Sequence, residues 1–370
     1  DQQTMYWPGA YGAAVQFEKA FQEITQEFNQ KLSKKGWLIL GWPKEYGGEN
    51  SFIKQAIFDD LMGYYRVPCG DVGIGVSGPT IIKVGSEEMK KEWLPRIASC
   101  EATFFLGYSE PDAGSDLAAL RTTAIQEGDH LIVNGQKIWS SGGHVKDYAW
   151  LLARTDPDAG KYRGTTLMIV DARSPGVTIN PIINMVGVHS FNEVFFDNVK
   201  VPVENVVGEI GQGFYNVMLA LEYERILISA GSFRKFLEEL VAYVKETKSD
   251  GHVLAEDPRI RMKVATAAIE IEALYNSFWH TVWMIEKGEN AEIEASALKL
   301  FASELSVKLA GTAMDILGLY GPLEKSSKWA KINGWISSGY LDSISGPIGA
   351  GTSEVQRGII ATRGMGLPRA

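Results

Sequence analysis

The sequence predicts an α+β protein: an N-terminal helical domain over 1–102, a middle antiparallel β-barrel domain over 103–205, and a C-terminal antiparallel helix bundle over 206–370. Three observations carry this reading. Apolar residues recur at helical spacing up to about Ser99, short Val-, Ile- and aromatic-rich runs take over from Thr103 to Val203, and long helical patterns return after Gly211. Helices, then strands, then helices argue for segregated layers and against alternating β/α units.

Each element has its own signal. Phe17, Ala20, Phe21, Ile24 and Phe28 stand three and four residues apart with Glu and Gln between them, which predicts one amphipathic helix. Helical stretches over 54–65 and 87–98 follow, separated by turns such as Tyr46-Gly47-Gly48. The runs 130–133, 148–153, 165–170, 177–179 and 193–196 read as strands. Short strands without long helices between them predict a small barrel or sandwich. Beyond Gly211 the patterns over 214–247, 260–287 and 292–319, with a further helix, suffice for an antiparallel four-helix bundle.

Composition bounds the function classes. A chain of 370 residues, 45% hydrophobic and 22% charged, holds two or three packed units at about 100 to 200 residues each. A net charge of -9 provides no basic footprint for nucleic acid, and any anionic ligand must find local cations. The two cysteines, Cys69 and Cys100, have neither zinc nor redox spacing, which fits thiols in a reducing cytoplasm. His130, His144, His189, His252 and His280 show no ligand spacing, so no metal site is expected. No run of about 18 or more apolar residues marks a membrane span.

Four segments carry chemistry. Leu106 to Asp116, LGYSEPDAGSD, reads as a strand end and a tight turn whose hydroxyls and amides suit a polar planar ligand or a phosphate, or equally an ordinary β-turn. Asn134 to Gly143, NGQKIWSSGG, adds a Trp and further hydroxyls. Glu193 to Phe214, EVFFDNVKVPVENVVGEIGQGF, reads as a strand leading into the bundle, and Gly346 to Arg357, GPIGAGTSEVQR, is a Gly-rich turn near the C-terminus.

In this order the four segments resemble the acyl-CoA dehydrogenase family over nearly the whole chain. The first is similar to that family's xxTEPxAGSD motif and the second to its NGxKxWITNG motif. The resemblance implies FAD as cofactor, contacted by Tyr108, Ser109, Ser115, Trp139, Ser141, Thr352 and Glu354, with Ser115 also beside the acyl-CoA. It implies oxidation of an acyl-CoA to the trans-2-enoyl-CoA, an electron-transfer flavoprotein as acceptor, and a bacterial cytoplasmic setting.

Many family members carry the catalytic glutamate where this chain has Ala350. The base and the flavin must lie on opposite faces of the Cα–Cβ bond, so the base belongs on the bundle. There Glu224 has Ala220, Leu221, Leu227 and Ile228 at helical spacing, a setting that raises a carboxylate's pKa; an interhelical salt bridge is the structural alternative. Glu224-Arg225 together with the small residue Ala350 resembles isovaleryl-CoA dehydrogenase, which places its base on this helix. The resemblance makes Glu224 the base and puts Arg225 and Ala350 at the substrate. The small Gly349-Ala350 pair leaves room for branched, cyclic or bulky acyl groups.

One departure concerns assembly. The family's Arg in an ERxxFG turn, which reaches the FAD pyrophosphate of a neighbouring subunit, corresponds to Thr247 in YVKETKSDG. Thr does not replace a bidentate phosphate clamp. This turn resembles bacterial subunits that act on steroid side chains, several of which form α2β2 heterotetramers; a homotetramer with a modified contact is the other expectation. A weakly active or non-catalytic partner subunit, and a flavin oxidase or monooxygenase on the same fold, are the rival readings.

Overall fold

Local sequence sets the ends of many helices. Ser86 accepts from the Met89 N–H at 3.1 Å and opens a helix with Glu87 and Glu88 in its first turn, where the helix dipole favours them. In this computed structural model, which describes residues 19–67, 69–224 and 230–368, the helices in chain order are α1 (Lys19–Ser33), α2 (Phe52–Tyr64), α3 (Gly78–Val84), α4 (Glu87–Ala98), α5 (Gly213–Glu224), α6 (Ala230–Glu246), α7 (Pro258–Glu286), α8 (Glu292–Leu317), α9 (Trp335–Ser343) and α10 (Ser353–Ile359). The strands are β1 (Phe104–Gly107), β2 (Thr123–Glu127), β3 (His130–Lys137), β4 (Tyr148–Arg154), β5 (Thr165–Asp171), β6 (Val177–Ile183) and β7 (His189–Pro202), followed by a small pair, β8 (Lys248–Ser249) and β9 (His252–Val253).

The chain divides into two compact units, and α2 packs with the C-terminal helices. The first unit holds α1, α3, α4, the large sheet and α5. Its seven strands run β1-β4-β2-β3-β7-β6, with β5 on β4. The β2–β3, β3–β7, β6–β7 and β4–β5 ladders are antiparallel, as expected, but β1 lies parallel to β4 and β2 meets β4 in parallel at Thr123–Arg154. The sheet is therefore mixed, because the β2–β3 hairpin intervenes between β1 and β4 and returns the chain in the same direction. Strand β7 alternates inward and outward residues, whereas β4 and β5 are buried almost throughout, as strands covered on both faces are. Phe105, Leu131, Val133, Leu151, Met168, Val194 and Val199 form the sheet's core. On α1 the predicted stripe is only partly used: Ile24 is 65% exposed and Phe28 half-buried, while Leu32, outside that stripe, is buried.

Helix α5 is anchored at its start. Phe214 N donates to Thr165 Oγ1 at 2.9 Å, and Gly211 N donates to Thr166 Oγ1 at 3.0 Å. A Cβ at Gly213 would stand 2.6 Å from Leu167 N, so this approach needs glycine.

In the second unit α2, α6, α7, α8 and α9 surround a core that includes Phe233, Phe236, Leu240, Leu274, Phe278, Leu305 and Ile336. Gly231 N donates to Asp60 Oδ1 at 2.5 Å, and Arg66 makes two bonds to Glu239 at 2.8 and 2.6 Å while lying over the Trp335 ring. The helix predicted over 214–247 is seen as α5 and α6, with 225–229 outside the described residues. Among the described residues no helix is long and apolar enough to cross a membrane, and no cluster of His, Cys, Asp and Glu could hold a metal ion.

Candidate active site

On the sheet unit the first two motifs are stitched together. After β1 the chain turns through Pro111, closed by Glu110 N to Ala113 O at 3.0 Å and Ala113 N to Glu110 O at 3.1 Å. Ile138 N then donates to Ser109 O at 2.9 Å, which sets the residues before Trp139 beside Ser109. Below them runs a buried ion pair: Lys137 Nζ reaches Glu110 Oε1 at 2.8 Å and Tyr108 O at 3.0 Å. Glu110 also accepts from Arg121 N at 2.6 Å and Thr122 N at 2.9 Å. Burial pushes Lys137 down to about 8 against the pull of Glu110. Burial would raise Glu110, but the Lys137 charge and these hydrogen bonds outweigh it and hold its carboxyl below the usual range.

Trp139 is not a core residue. It follows the end of β3 with φ 62, is 57% exposed, and sets its ring edge-on to Phe191 at 6.0 Å. Ser109 and Ser141 are half-buried and Ser115 is exposed, while the Tyr108 ring is buried and its carbonyl is occupied by Lys137. The segment Ser140–Gly142 is held by the start of β7. Ser140 N donates to Asn192 O at 3.1 Å, and Gly142 N donates to Ser190 O at 2.9 Å. The buried Asn192 amide donates to Ser140 O at 2.9 Å, and its Oδ1 lies 2.7 Å from His189 Nε2. The rings of His189 and His144 stack at 3.6 Å.

On the helical unit the turn before α10 is gripped from two helices. Ala350 has φ 50 and Gly351 φ 83. The fully buried Lys299 of α8 donates to Gly346 O at 3.0 Å and Gly351 O at 2.7 Å. The equally buried Gln356 donates to Ala350 O at 3.1 Å. Thr352 caps α10 by accepting from Val355 N at 3.2 Å. The exposed Glu354 carboxyl is held low, first by its own N–H and then by the Thr352 hydroxyl. The Ala350 N–H makes no hydrogen bond among the described residues.

Known proteins resemble this chain over nearly its whole length. The models of the N-terminal, middle and C-terminal domains of acyl-CoA dehydrogenase match residues 12–101, 106–199 and 211–365. The acyl-CoA dehydrogenase FadE26 of Mycobacterium tuberculosis is 35% identical over 367 residues, spanning 97% of this chain and 92% of the relative. The chain belongs to the acyl-CoA dehydrogenase family. Among solved structures, the Tcur3481-Tcur3483 steroid ACAD is similar with a TM-score of 0.88 at 34% identity, covering 94% of this chain and 90% of that one. The ChsE4-ChsE5 complex from Mycobacterium tuberculosis is similar with a TM-score of 0.88 at 36% identity, covering 94% and 91%.

An acyl-CoA dehydrogenase is a flavin-dependent oxidoreductase, and the family's cofactor is FAD. In this acyl-CoA dehydrogenase the expected base, Glu224, is the last residue of α5, at the end away from the β5 anchor. Arg225 lies outside the described residues. Thr247 closes α6: its N–H bonds Tyr243 O at 3.0 Å, and its carbonyl accepts from Leu254 N at 2.9 Å across the β8–β9 hairpin. That hairpin, KSDGHV, contains Lys248 and no arginine.

Five supporting residues escape sequence reasoning. Glu110 and Lys137 sit inside the motifs, where a lone Lys in a strand was the available signal. Lys299 is a single cation in the apolar run ALKLFA and could have been found the same way. Nothing local marks Asn192 or Gln356, whose partners are distant or backbone.

Proposed function

We propose that this acyl-CoA dehydrogenase introduces an α,β double bond into a branched, cyclic or otherwise bulky acyl-CoA. Glu224 takes the α-proton, and the Ala350 N–H donates to the thioester oxygen as negative charge develops there. The reading rests above all on Ala350, whose main-chain amide has no acceptor among the described residues in the loop where family members carry a glutamate. Such a preorganised donor is worth roughly 3 kcal/mol in the transition state.

The residues fit FAD on a physical test. An exposed indole at φ 62 stands next to hydroxyls on a backbone whose buried supports are paired, which offers a planar ligand a flat apolar face and polar edges. Bound FAD supplies the hydride acceptor. The residues that would contact it are the Tyr108 main chain, Ser109, Ser115, Trp139, Ser141, Thr352 and Glu354. Ser115 and Arg225 also line the acyl-CoA. The small residues at 349 and 350 and the steroid ACAD named above support a bulky substrate. An electron-transfer flavoprotein is the proposed electron acceptor. The assembly is proposed to be an α2β2 heterotetramer, supported by Thr247 and by the paired names of the two similar structures.

The test uses Glu224→Gln. The variant should retain FAD but lose solvent-deuterium exchange at the α-carbon and lose turnover by about 10²- to 10⁴-fold. The panel is octanoyl-CoA, isobutyryl-CoA, cyclohexanecarboxyl-CoA and a cholan-24-oyl-CoA, assayed anaerobically with an artificial acceptor. Exchange that survives in the variant would sink the assignment of the base, and octanoyl-CoA turning over best would sink the bulky substrate.

A further inference from the structure

We propose that Lys299 and Gln356 are positioning residues that preorganise the Ala350 amide for the thioester oxygen, an inference that rests on reading Ala350 as the oxyanion donor. A residue with a Cβ at φ 50 persists only where its surroundings impose that conformation. Here two fully buried side chains from different helices impose it. Lys299 bridges the ends of the loop through Gly346 O at 3.0 Å and Gly351 O at 2.7 Å. Gln356 takes the carbonyl of Ala350 itself at 3.1 Å and approaches that of Gly351 at 3.4 Å.

The loop's carbonyls are thus drawn to side-chain donors, while the Ala350 N–H is left without an acceptor among the described residues. The Gln356 amide is oriented for donation, since its Nε2 faces two carbonyl oxygens with which its Oε1 could not pair. Lys299 adds a positive charge fixed behind the loop in a low-dielectric interior, where it favours an oxygen that is gaining negative charge. Neither residue touches the substrate in this scheme; both act through the loop.

Gln356→Met removes the donor and keeps the volume. With the panel acyl-CoA that exchanges fastest in the wild type, kcat and the α-deuterium exchange rate should fall together by about 10- to 100-fold, below the 10²–10³ loss of a whole oxyanion donor. KM and FAD content should stay near wild-type values. The infrared stretch of a ¹³C-labelled thioester carbonyl, lowered in the wild-type complex, should move back up in the variant. Lys299→Met should shift the same band in the same direction. If Gln356→Met does not fold, Gln356→Asn keeps the amide with a shorter reach and should give intermediate rate and frequency.

Wild-type rates and carbonyl frequencies in variants that fold would overturn the positioning role, provided that Glu224→Gln abolishes exchange. Exchange absent from the wild type, or surviving in Glu224→Gln, would instead overturn the underlying reading of the reaction.

Discussion

At the residue scale the buried pair Lys137–Glu110 ties the first two motifs to one point. Lys137→Met would leave the Glu110 carboxylate buried without its cation and should destabilise the protein by about 3–5 kcal/mol in chemical denaturation. Adding Glu110→Gln should recover part of this loss, because the pair is coupled. A second residue prediction concerns pH. Asp59, half-buried on α2 and bonded by Gln55 at 3.1 Å, is pushed by burial up to about 7 from an ordinary value of 3.8. A raised carboxyl favours the neutral form in the folded state, so its contribution is full below 3.8 and is lost as pH rises through about 7. The melting temperature of the wild type relative to Asp59→Asn should therefore fall between about pH 4 and pH 7, and a flat difference would contradict the placement of Asp59. At this scale Ser109, Trp139 and Ser141 stood out in the sequence by their types and order. Their supports did not, because a buried Lys or Asn has meaning only through partners far away in sequence, such as Tyr108 for Lys137 and Ser140 for Asn192.

At the element scale, hydrophobic period and turn residues located several elements close to their observed ends, but the runs 177–179 and 193–196 caught only part of β6 (Val177–Ile183) and β7 (His189–Pro202). Strand β4 was expected over 148–153 and spans Tyr148–Arg154, and α7 was expected over 260–287 and spans Pro258–Glu286. Pairing was less legible: the parallel β1–β4 contact depends on where the chain returns, which no local pattern encodes. Trp139 stands beyond the end of β3 because Ile138 N bonds Ser109 O and the backbone turns to positive φ. Helix α5 gives a direct test, since its start is pinned to β5 and Glu224 is at its other end. Gly213→Ala places a Cβ 2.6 Å from Leu167 N. Overpacking of this kind should cost about 1–3 kcal/mol in thermal or chemical denaturation. It should also lower kcat, since it displaces the helix that carries the proposed base, Glu224. Unchanged stability would show that the β5 contact does not anchor the helix.

At the scale of the whole molecule the open question is completeness. Expressed alone, the chain should purify with well under one FAD per polypeptide, and co-expression with a sister subunit should bring FAD to stoichiometry. Full flavin occupancy of the isolated chain would refute the heteromer and make the β8–β9 hairpin a modified phosphate contact. The sequence by itself determined the order of helical and β segments and the family, because periodicity, turn chemistry and motif residues are local properties. Only the tertiary structure decided that α2 packs with the C-terminal helices, that Glu110 and Lys137 join two motifs, and that Lys299 and Gln356 hold Ala350 in a left-handed turn. All but the Gln356–Ala350 contact, which spans six residues, pair distant segments. An apolar stripe or a buried donor is compatible with many partners until folding selects one.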